Sequence, residues 1–223
     1  MTFSIAARCA RTGMFGVAVT SSSICVASRC AHARAGVGAV LTQNVTDPRI
    51  GPRALDLMQD GLSSEAALAE IVAKTENIQF RQLAFLDSRG RAAHFTGEKG
   101  LGRVASAVGL DCVAVGNLLA NDNVPSAIVA TFAATKGHLG FRLIKALQAG
   151  LAAGGEEDPV RSVGVLVVEQ QSWPIVDLRV DWHDAPLTEI ETVWKAYEPQ
   201  IQPYIDRALH PAGAPSFGVA GDP

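Results

Sequence analysis

The sequence predicts an α+β fold in which two mostly antiparallel sheets pack face to face and helices cover their outer sides. Strands arrive in consecutive hairpin-like runs, which argues against alternating βαβ winding. Helices arrive in blocks between those runs, giving the order strands, two helices, strands, two helices, strands, helix. Of 223 residues, 48% are hydrophobic and 18% charged, an ordinary folded composition able to bury one core. No linker interrupts the pattern, so residues 1–209 read as a single domain. The Pro-, Gly- and Ala-rich stretch 210–223 reads as a flexible tail.

Residues 3–9 and 15–20 read as the first two strands, joined through Arg11-Thr12-Gly13, where glycine supplies the positive φ of a tight connection. Residues 37–43 form the third strand. Residues 21–32 are small and polar with an apolar middle, and fit either a strand edge or a loop. Pro52 in a first turn opens a helix with Ala54, Leu55, Leu57 and Met58 on one face, and Gly61 stops it. Ser63 is the expected N-cap of the next helix, with Glu65 in its positive first turn and an apolar stripe through Leu68, Ile71 and Val72.

Period two returns at residues 81–86, followed by a turn at Asp87-Ser88-Arg89-Gly90 and a second hairpin arm at 92–96. Residues 111–118 give another strand. A helical block covers 124–136 and 139–152, where Leu143, Ile144, Leu147 and Leu151 recur at helical spacing. Residues 162–169 and 175–180 are apolar and β-branched and read as buried central strands. The last helix starts near Pro186 with Asp184 or Ala185 as cap, and Pro199 and Pro203 break or restart it.

Composition excludes several functions. The formal charge is −3 with a pI near 5.9, so no basic field exists to hold a nucleic-acid backbone. No apolar run reaches the roughly 18 to 20 residues that span a bilayer. No positive region precedes an apolar stretch at the N-terminus, which points away from a signal peptide and toward the cytoplasm. Cys9, Cys25, Cys30 and Cys112 lack the C-x-x-C spacing of a zinc or redox pair and read as small buried hydrophobes. Asp181-Trp182-His183-Asp184 fits a strand exit and helix cap better than a metal site. Gly36-Val37-Gly38 lacks the third glycine and following helix of a dinucleotide loop. Neither metal nor cofactor is expected.

Thr2 is the most informative residue for chemistry. A small second residue permits removal of Met1, leaving a threonine whose α-amine lies beside its own hydroxyl. That amine titrates near pH 7.7–8.0 and can take the hydroxyl proton at neutral pH without a histidine. A strand beginning at this residue would hold the pair rigidly at a sheet end.

The opening Thr2-Phe3-Ser4-Ile5-Ala6, with Gly16-Val17-Ala18-Val19, Ala35-Gly36-Val37-Gly38-Ala39-Val40, Thr42-Gln43, Gly51-Pro52-Arg53-Ala54-Leu55 and Arg81-Gln82-Leu83, resembles an uncharacterised bacterial and archaeal family. The likeness continues through Phe95-Thr96-Gly97, Gly116-Asn117-Leu118-Leu119, Ala153-Gly154-Gly155 and Leu178-Arg179-Val180-Asp181, and so covers nearly the whole chain. The family is domain of unknown function 1028, grouped with the N-terminal-nucleophile (Ntn) hydrolases. This resemblance implies a four-layer αββα sandwich and hydrolysis of a small amide or related C–N bond. Thr2 would attack the carbonyl, and an acyl-enzyme would be released by water.

Candidate partners for Thr2 follow. Asn117, at a strand end, is the first choice of oxyanion donor, with a turn asparagine as the alternative. Gln43, also at a strand end, is a second neutral donor, or else a cap. Arg53 and Arg81 suit bidentate binding of a substrate carboxylate, although surface arginines commonly form no site. Gln82 would accompany Arg81, and His94 is either a proton carrier or a half-exposed strand residue.

The chain also departs from the family pattern at Cys30-Ala31-His32-Ala33-Arg34, at 102–107 and at Glu156-Glu157-Asp158-Pro159, all expected in loops around the pocket. No lysine precedes Lys74, so a proteasome-like lysine helper is missing and Arg34 or His32 would have to serve. The competing reading is therefore a non-catalytic binding or assembly protein on the same fold. A homodimer or higher homo-oligomer suits such a sandwich, and the sequence specifies no interface.

Overall fold

In the computed structural model, which describes residues 1–216, strand β1 (Thr2–Arg8) is buried almost throughout. It is flanked on both edges and covered on both faces. Alternation sends Phe3, Ile5 and Ala7 to one core and Ala6 to another, as the period of two requires. Thr2 and Ser4 share the parity of Ala6.

The first sheet has six strands. β1 lies between β2 (Phe15–Ser21) and a later strand, Cys112–Asn117. The short helix α1 (Ala27–Cys30) leads into the second sheet, formed by β3 (Ala31–Arg34), β4 (Gly38–Asn44), β5 (Arg81–Asp87) and β6 (Ala92–Thr96) in that order. With β7 (Ala105–Gly109), β8 (Cys112–Asn117), β9 (Ser162–Val168) and β10 (Val176–Val180), the first sheet runs β10-β9-β2-β1-β8-β7. Every neighbouring pair is antiparallel.

Three apolar clusters define four layers. Ala6, Val17, Val19, Val113 and Val115 of the first sheet meet Ala39, Leu41, Ala84 and Leu86 of the second. On the outer side of the second sheet, α2 (Ile50–Gln59) and α3 (Ser64–Lys74) bury Ile50, Ala54, Met58 and Ile71 against Val40, Leu83 and Phe85. On the outer side of the first sheet, α4 (Val124–Ala134), α5 (Leu139–Ala152) and α6 (Pro186–Tyr197) bring Ile128, Leu143, Leu147, Ile190 and Trp194 onto Phe3, Ile5 and Val165. The fold is an αββα sandwich, as the order of elements predicts. Among the described residues no helix is long and apolar enough to cross a membrane.

Local chemistry explains the element ends. Gly13 takes φ +79 in the β1–β2 turn, a conformation that costs glycine little. The Ser63 hydroxyl accepts from the Ala66 N–H at 3.2 Å, so Ser63→Ala should lower stability by about 1 kcal/mol. A thermal melt would show this as a Tm drop of roughly 2–4 °C.

Several expectations need correction. Residues 21–32, readable as edge or loop, hold the end of β2, helix α1 and the start of β3. β10 is an edge strand rather than a central one: Val176 and Leu178 are buried while Asp177 and Arg179 are exposed. β7 gave no signal because Ala105-Ser106-Ala107-Val108-Gly109 is small, weakly β-prone and half exposed at the opposite edge. α4 stops at Ala134 instead of 136, where Thr135 turns extended. Pro199 falls in a short 3-10 turn (Glu198–Gln200) and Pro203 lies within α7 (Ile201–Leu209), in the first turn where its missing N–H costs nothing. Of the expected tail, Pro211–Gly213 forms a 3-10 turn, and 217–223 lie outside the described residues.

Candidate active site

Because β1 is antiparallel to both neighbours, its first residue meets their last ones. Thr2 pairs with Asn117 at the end of β8, and Ser21 closes β2 on the other side. Thr2 is only 6% exposed. Its hydroxyl donates to the Met1 carbonyl and lies 3.4 Å from Ser21 Oγ, which donates to the same carbonyl. Ser21 Oγ in turn accepts from the Ser23 N–H at 3.0 Å.

Below Thr2, between the sheets, runs a chain of buried amides. Ser4 Oγ donates to Gln43 Oε1 at 2.6 Å, and Gln43 Nε2 donates to Gln82 Oε1 at 2.7 Å. Asn117 Nδ2 donates to that same oxygen at 3.1 Å. Gln82 Nε2 donates to the Gly116 carbonyl at 2.9 Å and to Thr96 Oγ1 at 3.1 Å. A backbone carbonyl can only accept, so Gly116 sets the orientation of Gln82, and Gln82 then sets those of Gln43 and Asn117. Such polar groups are tolerated in an apolar interlayer only when paired. The exception is Asn117 Oδ1, which is buried without a partner.

Glu156 completes the neighbourhood. It follows the Gly154-Gly155 turn, forms an isolated bridge with Leu119 two residues beyond Asn117, and is 6% exposed. Neither carboxylate oxygen has a hydrogen-bond partner. Burial lifts its pKa to about 7, while the N-terminal ammonium and the N–H and hydroxyl of Ser22 act in the opposite direction, close enough to be felt electrostatically. The carboxylate thus lies within electrostatic reach of the chain's own amine.

The structure therefore brings together Thr2, Gln43, Gln82 and Asn117 of the residues expected from sequence. It places the others elsewhere. Arg53 is exposed on α2 in a groove with Asp56, Asp60 and Glu70, across the second sheet from Thr2. Arg81 precedes Gln82 but donates to the Val45 carbonyl. His94 lies on edge strand β6 with Nε2 3.4 Å from Ser106 Oγ of β7. The two stand-ins for a lysine also point away: Arg34 bonds Gln59 at 2.6 Å and Asp56 at 2.8 Å on α2, and the His32 ring packs against Gly51. The amide of Gln43 is spent inside the interlayer. Asn117 presents a free acceptor and one remaining amide proton.

Sequence reasoning missed Ser4, Ser21, Thr96 and Glu156. Ser4 was readable from its parity with Thr2 on one strand, and Ser21 from its place at the end of the paired strand. The sequence puts Glu156 in a loop around the pocket, but its position beside the N-terminus was not readable, because the bridge to Leu119 after β8 sets it there.

The fold is shared with a known protein. Protein SPO2555 from Silicibacter pomeroyi, a solved structure of the DUF1028 family, is 30% identical over 88% of this chain and 85% of its own, with a TM-score of 0.83. Anbu (ancestral beta-subunit) from Yersinia bercovieri aligns over 91% of this chain and 97% of its own at 13% identity, TM-score 0.38. An Anbu (Gly-1) mutant from Hyphomicrobium sp. strain MC1 aligns over 98% and 100% at 12% identity, TM-score 0.40. Scores that low carry no argument about this chain. No curated protein matches it. The model of the family of unknown function DUF1028 matches residues 2–190, a span that includes every strand and the Thr2 neighbourhood, and the chain belongs to that family.

Proposed function

We propose that the protein is an Ntn-type amidohydrolase cleaving a small amide or related C–N bond, with Thr2 as nucleophile after Met1 is removed. The observation that supports this reading is the position of Thr2: the first residue of a central, fully paired strand, with a buried hydroxyl beside Ser21 and a buried carboxylate, Glu156, toward the terminal amine.

The steps are these. The Thr2 α-amine takes the hydroxyl proton as Oγ1 attacks the substrate carbonyl carbon. The carbonyl π electrons move onto oxygen, and the remaining amide proton of Asn117, on the strand paired with Thr2, is the proposed donor to that charge. The ammonium returns its proton to the leaving nitrogen as the C–N bond breaks, leaving an ester on Thr2. Water, deprotonated by the same amine, hydrolyses the ester. Glu156 favours the ammonium that forms in each half. Ser21, relieved of the Met1 carbonyl, stays beside Oγ1. Gln82 and Gln43 hold Asn117 in place. Arg53, Arg81 and His94 lie away from this site and take no part in the proposed steps.

Intact mass after expression in a host that trims initiator methionine tests the first requirement. The expected result is a species short by one methionine, labelled stoichiometrically by a β-lactone at residue 2. A full-length mass together with no adduct would favour the non-catalytic binding reading, since the Met1 carbonyl then keeps both hydroxyls occupied.

A further inference from the structure

The other end of β1 opens into a separate cavity, about 20 Å from Thr2 at roughly 3.3 Å per strand residue. Its volume is about 560 Å³, within the range of metabolite-sized sites. Arg8, Arg11, Lys136 and Arg142 line it, and Asp111 is the one carboxylate among its lining residues. Four cations against one anion make a local charge of +3 in a chain whose formal charge is −3.

These charges are poorly compensated. Arg8 and Asp111 stand 3.6 Å apart and offset each other. Arg11 and Lys136 are exposed, and among the described residues neither forms an ion pair. Arg142 occupies the first turn of α5, where no acidic residue answers the positive helix end, a place that disfavours a cation. Its Nη2 donates to the Phe132 carbonyl at 3.1 Å and its guanidinium lies 4.0 Å over the Phe132 ring. Its Nε is buried without an acceptor. Like charges gathered around an open concavity raise the local potential and concentrate anions there, and arginine forks match oxyanions bidentately.

We propose that this cavity binds a small, multiply charged oxyanion, a phosphorylated or polycarboxylate metabolite, at a site distinct from the one around Thr2. The wall contains its own reporter. Burial pushes the Cys9 thiol up, but the Thr12 hydroxyl and N–H, the Arg11 N–H and the Arg142 charge outweigh that and hold it below its ordinary value. A thiol with added thiolate character reacts faster with an alkylating agent, and an occupant of the cavity would shield it.

The experiment uses the full-length protein and follows Cys9 alkylation by iodoacetamide with site-resolved mass spectrometry. Pyrophosphate and citrate are titrated separately at constant ionic strength in chloride. At least one should slow Cys9 modification about fivefold and saturate below about 1 mM, the range of a real if modest affinity. The tighter of the two identifies the ligand as phosphate-like or carboxylate-like. The double variant Arg11→Gln/Lys136→Gln, altered only at exposed side chains, should weaken binding at least about tenfold through loss of two charge-assisted contacts, with labelling at Thr2 unchanged. No saturation by either anion up to about 10 mM, or equal affinity in the double variant, would overturn the proposal.

Discussion

Thr2→Ala is expected to abolish amide turnover, with kcat reduced by at least about 10³-fold, while the protein stays folded. The physical reason is that one residue supplies both the attacking oxygen and, through its own amine, the base. Alanine keeps the amine and the strand but removes the atom that forms the acyl bond. The change should leave stability nearly intact, since the Thr2 hydroxyl bonds only Met1 and neighbours Ser21 at a long 3.4 Å. The sharpest readout is substrate-independent: β-lactone labelling at residue 2 should vanish in Thr2→Ala and survive in Thr2→Ser. Full turnover in the alanine variant would remove Thr2 from the mechanism, and a loss of circular dichroism or a collapsed Tm would show that the residue supports the fold instead.

Glu156→Gln should change both the pH dependence of stability and the reactivity of the N-terminus. Burial raises the Glu156 carboxyl from an ordinary 4.5 to about 7. Between those values the folded protein keeps a proton that the unfolded chain releases. Stability is therefore full below pH 4.5 and falls as pH rises toward 7, by about 3 kcal/mol in all at 1.36 kcal/mol per unit. Glutamine carries no such charge. Urea denaturation at pH 5 and pH 8 should show the wild type losing stability at the higher pH and the variant nearly level. Equal slopes in the two proteins would mean that Glu156 does not bear the shifted proton. On the proposed mechanism the same variant loses the anion that favours the Thr2 ammonium. Its lactone labelling at pH 7 should fall about 10- to 100-fold, with the acid limb of the rate profile moved to lower pH.

Legibility differed sharply between the two halves of the molecule's chemistry. Strands such as β1, β2 and β9 and helix α5 were readable because each carries a long apolar pattern of one period. Burial then enforces what the pattern proposes. β7 and the short α1 were unreadable: five small residues on an edge and four residues between turns have too few apolar contacts to leave a period. β10 read as central because its valines and leucine resemble a buried run, yet Asp177 and Arg179 sit on its outer face and mark an edge.

In the site, Thr2, Gln43 and Asn117 could be picked out as residues at strand ends and Gln82 as a companion of Arg81, and the fold gathers these four. Their separation of duties could not be read. Which amide points at which oxygen depends on Gly116 lending its carbonyl to Gln82, a contact across 34 positions of sequence. Arg53, Arg81 and His94 were chemically suitable but lie on α2, toward Val45 and at a sheet edge, since residue type says nothing about which face of a layer a side chain joins.

By itself, then, the sequence determined the layers: periodicity and turn residues dictate where strands and helices form, and the hairpin order dictates two antiparallel sheets between helices. Only the tertiary structure decided what surrounds Thr2. A buried carboxylate with raised pKa, a serine on the paired strand and a chain of amides between sheets are products of long-range pairing, where desolvation and proximity are set by residues far apart along the chain.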